Sequence, residues 1–298
     1  MKKFAYLILI AVLIAGLSAC GVSSDSADTA DTDAAETETT DTDAAETEPA
    51  DGRFTLEEYM HGSKDGEMCA IYKITNECGF DIYNLFGDVT FTYGDSDEAY
   101  ESGLGYTGCL CDGQTAYLTA STWDLDPETV NTVKLTSLYY FDGNRDWVYD
   151  TETGKTTAGD GNYELDTSGD FDTANSLAFT LTEKGVNSEG ELVYIAEITN
   201  NTGGTVDSVD YYIDGLDGED AIVNVGGGYV GDKFGSGKTV SNESYFREEI
   251  DGAGLRDKIS NVRVSYYMYY LTEDDEHGNN YYEVDVLSGT AWGAHIDA

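Results

Sequence analysis

Tyr194-Ile195-Ala196-Glu197-Ile198-Thr199-Asn200 runs into Asn201-Thr202-Gly203-Gly204 and leaves as Val206-Asp207-Ser208-Val209-Asp210-Tyr211. In the first run Tyr194, Ala196 and Ile198 alternate with Ile195 and Glu197, and a period of two marks a strand with one buried face. The Asn/Thr/Gly cluster that follows is turn chemistry, because Gly and Asn accept backbone angles that other residues avoid. A second strand then begins. The same alternation stands earlier in the chain, where Ala70, Tyr72 and Ile74 interleave with Cys69, Ile71 and Lys73.

The two stretches belong to a longer repeat with a spacing near 124. Phe54-Thr55-Leu56 corresponds to Phe179-Thr180-Leu181, Gly66-Glu67 to Gly190-Glu191, Ile74-Thr75-Asn76 to Ile198-Thr199-Asn200, and Gly113-Gln114-Thr115 to Gly237-Lys238-Thr239. Val133-Lys134-Leu135 pairs with Val262-Arg263-Val264 after an insertion in the second copy. Two copies this long read as tandem domains rather than a solenoid, which needs more and shorter units. Within each copy, strand signals dominate. Tyr139-Tyr140-Phe141 and Trp147-Val148-Tyr149 flank a short loop at 142–146, as in a hairpin. Helical hints are confined to single turns near Asp126-Pro127-Glu128 and Gly254 to Lys258. Short strands separated by turns predict an all-β chain of two antiparallel sandwiches, at 53–156 and 177–298 with a linker at 157–176.

The run Ile198 to Val206, the Gly-rich strand after it and the turn Gly235-Ser236-Gly237-Lys238-Thr239 resemble immunoglobulin-like FxLYD-type domains. Copy two is the better match. Copy one has Glu77-Cys78-Gly79 where the motif is usually Asn-x-Ser/Thr-Gly, and the Pro-Gly of the later turn is Asp112-Gly113 in copy one and Ser236-Gly237 in copy two. The resemblance implies two immunoglobulin-like sandwiches engaged in extracytoplasmic interaction, and it brings no known catalytic residues.

Outward from the repeat, the N-terminus reads as an export signal over 1–19. Lys2 and Lys3 precede an apolar run from Phe4 to Gly16 that is too short to span a bilayer. Leu17-Ser18-Ala19-Cys20 resembles the lipobox of bacterial lipoproteins, which implies a diacylglycerol on the Cys20 thiol and a partner in the membrane. The implied address is the extracytoplasmic side of a cell membrane, with a Gram-positive surface as the expected setting. Residues 20–52 are expected to be a disordered tether. The octet Asp31 to Glu38 recurs letter for letter as Asp41 to Glu48, and eleven carboxylates with no aromatic residue cannot offset chain entropy by burial. Fully stretched, that tether would reach roughly 110 Å at about 3.3–3.6 Å per residue.

The formal net charge is −43, and removing the two signal lysines leaves 58 acidic against 13 basic residues. Nucleic acid and bare anionic lipid are repelled by such a chain. A content of 23 Tyr excludes a wholly disordered polypeptide.

Few residues carry legible chemistry. Cys69, Cys78, Cys109 and Cys111 all lie in copy one, opposite Val193, Thr202, Lys233 and Gly235 in copy two, so the fold itself does not need them. An even set in an exported domain predicts two disulfides, with Cys69 and Cys78 cross-paired to Cys109 and Cys111 because a bond between Cys109 and Cys111 would be strained. Free thiols and a metal site are the alternatives, but the spacings are not those of zinc motifs, so no metal site is expected. Gly231 to Thr239 mimics a phosphate loop, but its first glycine is one place too far back, and no nucleotide is expected. His61, His277 and His295 form no metal-spaced pair. No cofactor is expected, with calcium left open at Asp214 to Asp220 and at Thr272 to Asn280, where oxygen ligands gather without EF-hand order.

The strand Val262 to Leu271 presents two faces. Strict alternation places Val262, Val264, Tyr266, Met268 and Tyr270 in the core and leaves Tyr267 and Tyr269 outside, with Tyr140 in the matching place in copy one. Those three tyrosines form the expected aromatic binding patch. The expected function is a non-catalytic surface-binding module for a protein or glycan. An envelope spacer is the second reading, and a carboxylate hydrolase the third.

Overall fold

In the computed structural model, residues 53–94, 98–123, 125–159 and 176–296 are described. The export signal, Cys20 and the tether lie outside them, as does most of the 157–176 linker. All described residues fall in one compact unit, Glu48–Ala298. Its first hairpin follows from two letters. Asp65 and Gly66 both take positive φ, 53° and 85°, the two-residue reversal whose twist suits adjoining strands. They join β1 (Phe54–Lys64) to β2 (Glu67–Asn76).

β3 (Ile82–Tyr93), β4 (Glu98–Leu110) and β5 (Thr115–Thr122) follow, then a 3₁₀ turn at Pro127–Thr129, β6 (Val130–Phe141), β7 (Asp146–Asp150) and β8 (Lys155–Ala158). The second half repeats this order with β9 (Leu177–Val186), β10 (Leu192–Asn200), β11 (Val206–Leu216), β12 (Ile222–Val230), β13 (Thr239–Phe246), a 3₁₀ turn at Arg256–Lys258, β14 (Asn261–Leu271), β15 (Tyr281–Asp285) and β16 (Thr290–Ala294). Both short turns fall where the sequence hints at them. In half one, β1-β2-β5 packs on β4-β3-β6-β7-β8; in half two, β9-β10-β13 packs on β12-β11-β14-β15-β16. The architecture is an all-β sandwich, antiparallel within each half. β5 and β12 meet in parallel at Ala116 and Ile222, so one eight-stranded sheet runs through both halves.

The recurring Ile-Thr-Asn has a clear physical task. Asn76 is fully buried, and its Nδ2 donates to the carbonyls of Phe80 and Leu110 at 3.0 and 2.9 Å, while its Oδ1 accepts from the Cys78 amide. Asn200 does the same with Gly204, Phe234 and Thr202. One side chain thus satisfies three backbone groups of the reversal, among them a carbonyl, that of Leu110 or Phe234, that burial would otherwise orphan. The preceding threonines, Thr75 with Thr115 and Thr199 with Thr239, join hydroxyls at 2.8 Å in both halves.

The Gly-rich β12 is equally physical. At Gly228 a Cβ would stand 2.5 Å from the Tyr211 hydroxyl. The missing side chain lets that ring cross the core to Ser244, with 2.8 Å between the two oxygens.

Period two predicts that β2 is buried on one face only. The structure buries Met68 to Tyr72 without a break, because a segment of half two covers its outer face. Cys69 and Ile71 pack there against Val223, Ile250, Ala253 and Leu255. The Tyr59 hydroxyl donates to the Ala253 carbonyl at 3.0 Å, and Gln114 reaches the Asp220 carbonyl at 3.1 Å.

Candidate functional site

Tyr267, Tyr269 and Tyr140 do not form an exposed patch; each is at most 2% exposed. The cause is a β-bulge. In the β11–β14 pairing Tyr212 faces Tyr266 while Ile213 faces Val264, which leaves Ser265 as an extra residue. An added residue reverses the alternation beyond it. Val262 and Val264 point inward before the bulge, and Tyr267, Tyr269 and Leu271 point inward after it. Half one carries the same device, with Asp88 facing Ser137 and Val89 facing Leu135, so Thr136 is the extra residue and Leu138 and Tyr140 turn into the core.

The displaced set, Tyr266, Met268 and Tyr270, therefore lies on the outer face. Pairing registers place Tyr229, Asp210, Met268, Glu283 and Trp292 in one row across five strands. Beside that row, Tyr266 lies between Tyr212 and Trp292 with its ring tilted to both, centroids 6.1 Å away on each side, and Tyr270 meets Tyr281 at 4.7 Å. Glu283 accepts hydrogen bonds from the Tyr266 hydroxyl and, at 2.5 Å, from the Tyr281 hydroxyl. Tyr266 and Tyr281 form a buried floor, whereas Tyr229 is 51% exposed and Tyr212, Tyr270 and Trp292 are half-buried. Burial pushes the Asp210 carboxyl up, and burial, then the charges of Asp210 and Glu283, push the Tyr270 phenol up. The arrangement offers flat apolar ring faces next to carboxylate acceptors.

The far end of this outer face is closed by half one. There Asp214, fully buried, accepts from the Arg263 Nε and the Tyr106 hydroxyl, each at 3.0 Å. Ser265 and Asp285 are buried next to this pair, around Gly108 of β4.

None of the four cysteines beyond Cys20 is bridged, which corrects the expectation of cross-paired disulfides. Cys69 sits in the cluster between the halves, and Cys78 packs against the core of half one with its thiol on the Arg53 carbonyl. Burial pushes the Cys69 thiol up to about 12 and the Cys78 thiol up to about 11. The two other sulfurs, Cys109 and Cys111, lie 4.0 Å apart, with Asp81 beside them.

The two acidic stretches considered for calcium are occupied with closing turns. Asp217 accepts from the amides of Glu219 and Ala221. Asp275 accepts from those of His277 and Asn279 and from the Tyr282 hydroxyl. Gly231 to Thr239 forms a reversal between β12 and β13, in which Phe234 pairs with Val206. It does not link a strand to a helix.

No family model matches the chain, and no curated protein matches it. Among solved structures it is similar to red sea bream transglutaminase, at 9% identity over 74% of this chain and 28% of that one, with a TM-score of 0.21. It is similar also to the exo-chitosanase CsxA of Amycolatopsis orientalis, at 12% identity over 78% of this chain and 26% of that one, again with a TM-score of 0.21. The chain thus spans little more than a quarter of either protein. Likeness this loose bears on neither activity nor ligand.

Proposed function

We propose that this chain is a non-catalytic binding module, held outside a bacterial cell membrane by lipid on Cys20, and that it takes a glycan on the outer aromatic face of half two. The row Tyr229-Asp210-Met268-Glu283-Trp292 carries the reading. Sugar rings present C–H faces that pack on aromatic rings and hydroxyls that donate to carboxylates, and this face supplies both. A net charge of −43 favours neutral or amino sugars and repels anionic polysaccharides.

A glycan array probed with the chain tests this. Binding is expected to fall at least tenfold in Tyr270→Ala/Trp292→Ala and to persist in Tyr139→Ala of half one. Binding that survives the double substitution removes the face from consideration. An empty array, together with a protein captured from the envelope and lost with the same substitutions, turns the reading to a protein ligand. The envelope-spacer alternative draws support from the apolar cluster between the halves, which opposes bending between them.

A further inference from the structure

We propose that Asp81, Cys109 and Cys111 form a binding site for a thiophilic divalent cation of the zinc class. Cys109, near the end of β4, and Cys111, just past it, are two residues apart, a spacing that puts side chains on one side of extended chain. Asp81 comes from the reversal that Asn76 holds, and one of its oxygens accepts from the Asp112 amide at 2.9 Å. That reversal is pinned from the same loop, because Asp112 accepts from the Gly79 amide, also at 2.9 Å. The Cys111 amide in turn donates to the Gln114 side chain at 3.2 Å. Both halves of the site are thus held before any ion arrives.

The ligand atoms of the three residues all lie within 4.8 Å of one another. Two thiolates on a tetrahedral zinc at about 2.3 Å stand about 3.8 Å apart, whereas a disulfide requires about 2.05 Å. The observed 4.0 Å fits the first and not the second.

An independent feature points the same way. Asp285 is 1% exposed, and its Oδ1 is taken by the Ser288 amide and hydroxyl, while its Oδ2 has no partner. That free oxygen lies toward the Gly108–Cys109 backbone, 3.7 Å from where a Gly108 Cβ would be. A buried carboxylate next to the Gly108–Cys109 backbone adds negative charge that favours a cation nearby.

Binding converts both thiols to thiolates, and one M²⁺ taken up releases two protons. Three protein ligands leave a fourth position, and Asp81 is exposed, so solvent reaches it. Half two has Thr205, Lys233 and Gly235 at the equivalent places, which makes the site an acquisition of half one rather than a need of the fold.

The experiment uses the full chain, reduced and stripped with a chelator, then titrated anaerobically with Cd²⁺ or Co²⁺. One equivalent is expected to bind, with a thiolate charge-transfer band and a raised melting temperature. Cys111→Ser is expected to abolish the band, Asp81→Asn to weaken binding at least tenfold, and Cys69→Ser and Cys78→Ser to change neither. Cys111 and Asp81 are partly or fully exposed, so these variants retain the fold, and near-ultraviolet circular dichroism checks that they do. No band in the reduced chain overturns the proposal. So does a band that persists in Cys111→Ser, or a Cys109–Cys111 disulfide whose reduction restores no metal uptake.

Discussion

Half one and half two lay down the same strands in the same order, with a bulge at the same place and a buried Asn at the same reversal. They differ in which outer surface is covered. In half one the outer face of β2 is sealed by a segment of half two, and the reversal after β4 gathers two thiols and a carboxylate. In half two the outer face of the five-stranded layer is covered at one end by β4, and elsewhere carries interlocked tyrosines around Glu283. What the halves share lies in the interior. What distinguishes them lies on faces that a single sandwich would leave to water.

Removing the shared bulge tests this comparison most severely. Deleting Ser265 restores strict alternation and turns Tyr267, Tyr269 and Leu271 outward. At about 1.5–3 kcal/mol per buried side chain, the loss is on the order of 5 kcal/mol. Deleting Thr136 in half one is expected to act similarly through Leu138 and Tyr140. Chemical denaturation measures both, and a small loss in either shows that the inward set does not depend on the bulge.

Arg263→Met attacks the junction, which only one half supplies with a buried charge. It leaves Asp214 buried without its cation and is expected to cost roughly 3–5 kcal/mol, most of it recovered in Asp214→Leu/Arg263→Met. A double variant as weak as the single one would show that the pair is needed for more than compensating charge.

The shared Asn offers a finer test. Asn76→Ala and Asn200→Ala each orphan one buried carbonyl, that of Leu110 or Phe234, and a part-buried one, and each is expected to cost about 1–3 kcal/mol. Nearly equal losses sharpen the equivalence of the halves; a neutral result at one position breaks it.

The smallest expected effect is that of pH. Burial raises the carboxyls of Asp146 in half one and of Asp210 and Glu249 in half two. A raised folded value means that the native state binds more protons than the unfolded chain over that window. Stability is then greatest below the ordinary carboxylate pKa and declines as pH rises through the folded values. Relief of self-repulsion acts in the same direction. The melting temperature is therefore expected to be a few degrees higher at about pH 5 than at about pH 8, and Asp210→Asn is expected to shrink that difference. A melting temperature that rises with pH would contradict it.

The strands, the hairpin closed by 142–146 and both 3₁₀ turns are legible in the sequence, because period two and turn residues are local signals. Asp142 shows how local. It caps its own loop through the Asn144 and Arg145 amides and accepts from the Trp147 indole at 2.6 Å. The inward identity of Tyr267 is not legible from β14 alone, where five tyrosine and methionine letters run together. Half one held the missing signal, since the polar pair Thr136-Ser137 between Leu135 and Leu138 breaks period two and marks the bulge. The thiol cluster was half legible. The cysteines are visible, but Asp81 is distant in sequence and reaches them only through the reversal held by Asn76.

By itself the sequence determined an all-β repeat, because alternation and turn chemistry act over a few neighbouring residues. Only the tertiary structure decided which tyrosines face the core, which thiols meet and which sheet faces stay open. Each of those depends on pairing between strands far apart in the chain, where one extra residue in one strand reverses every side chain beyond it.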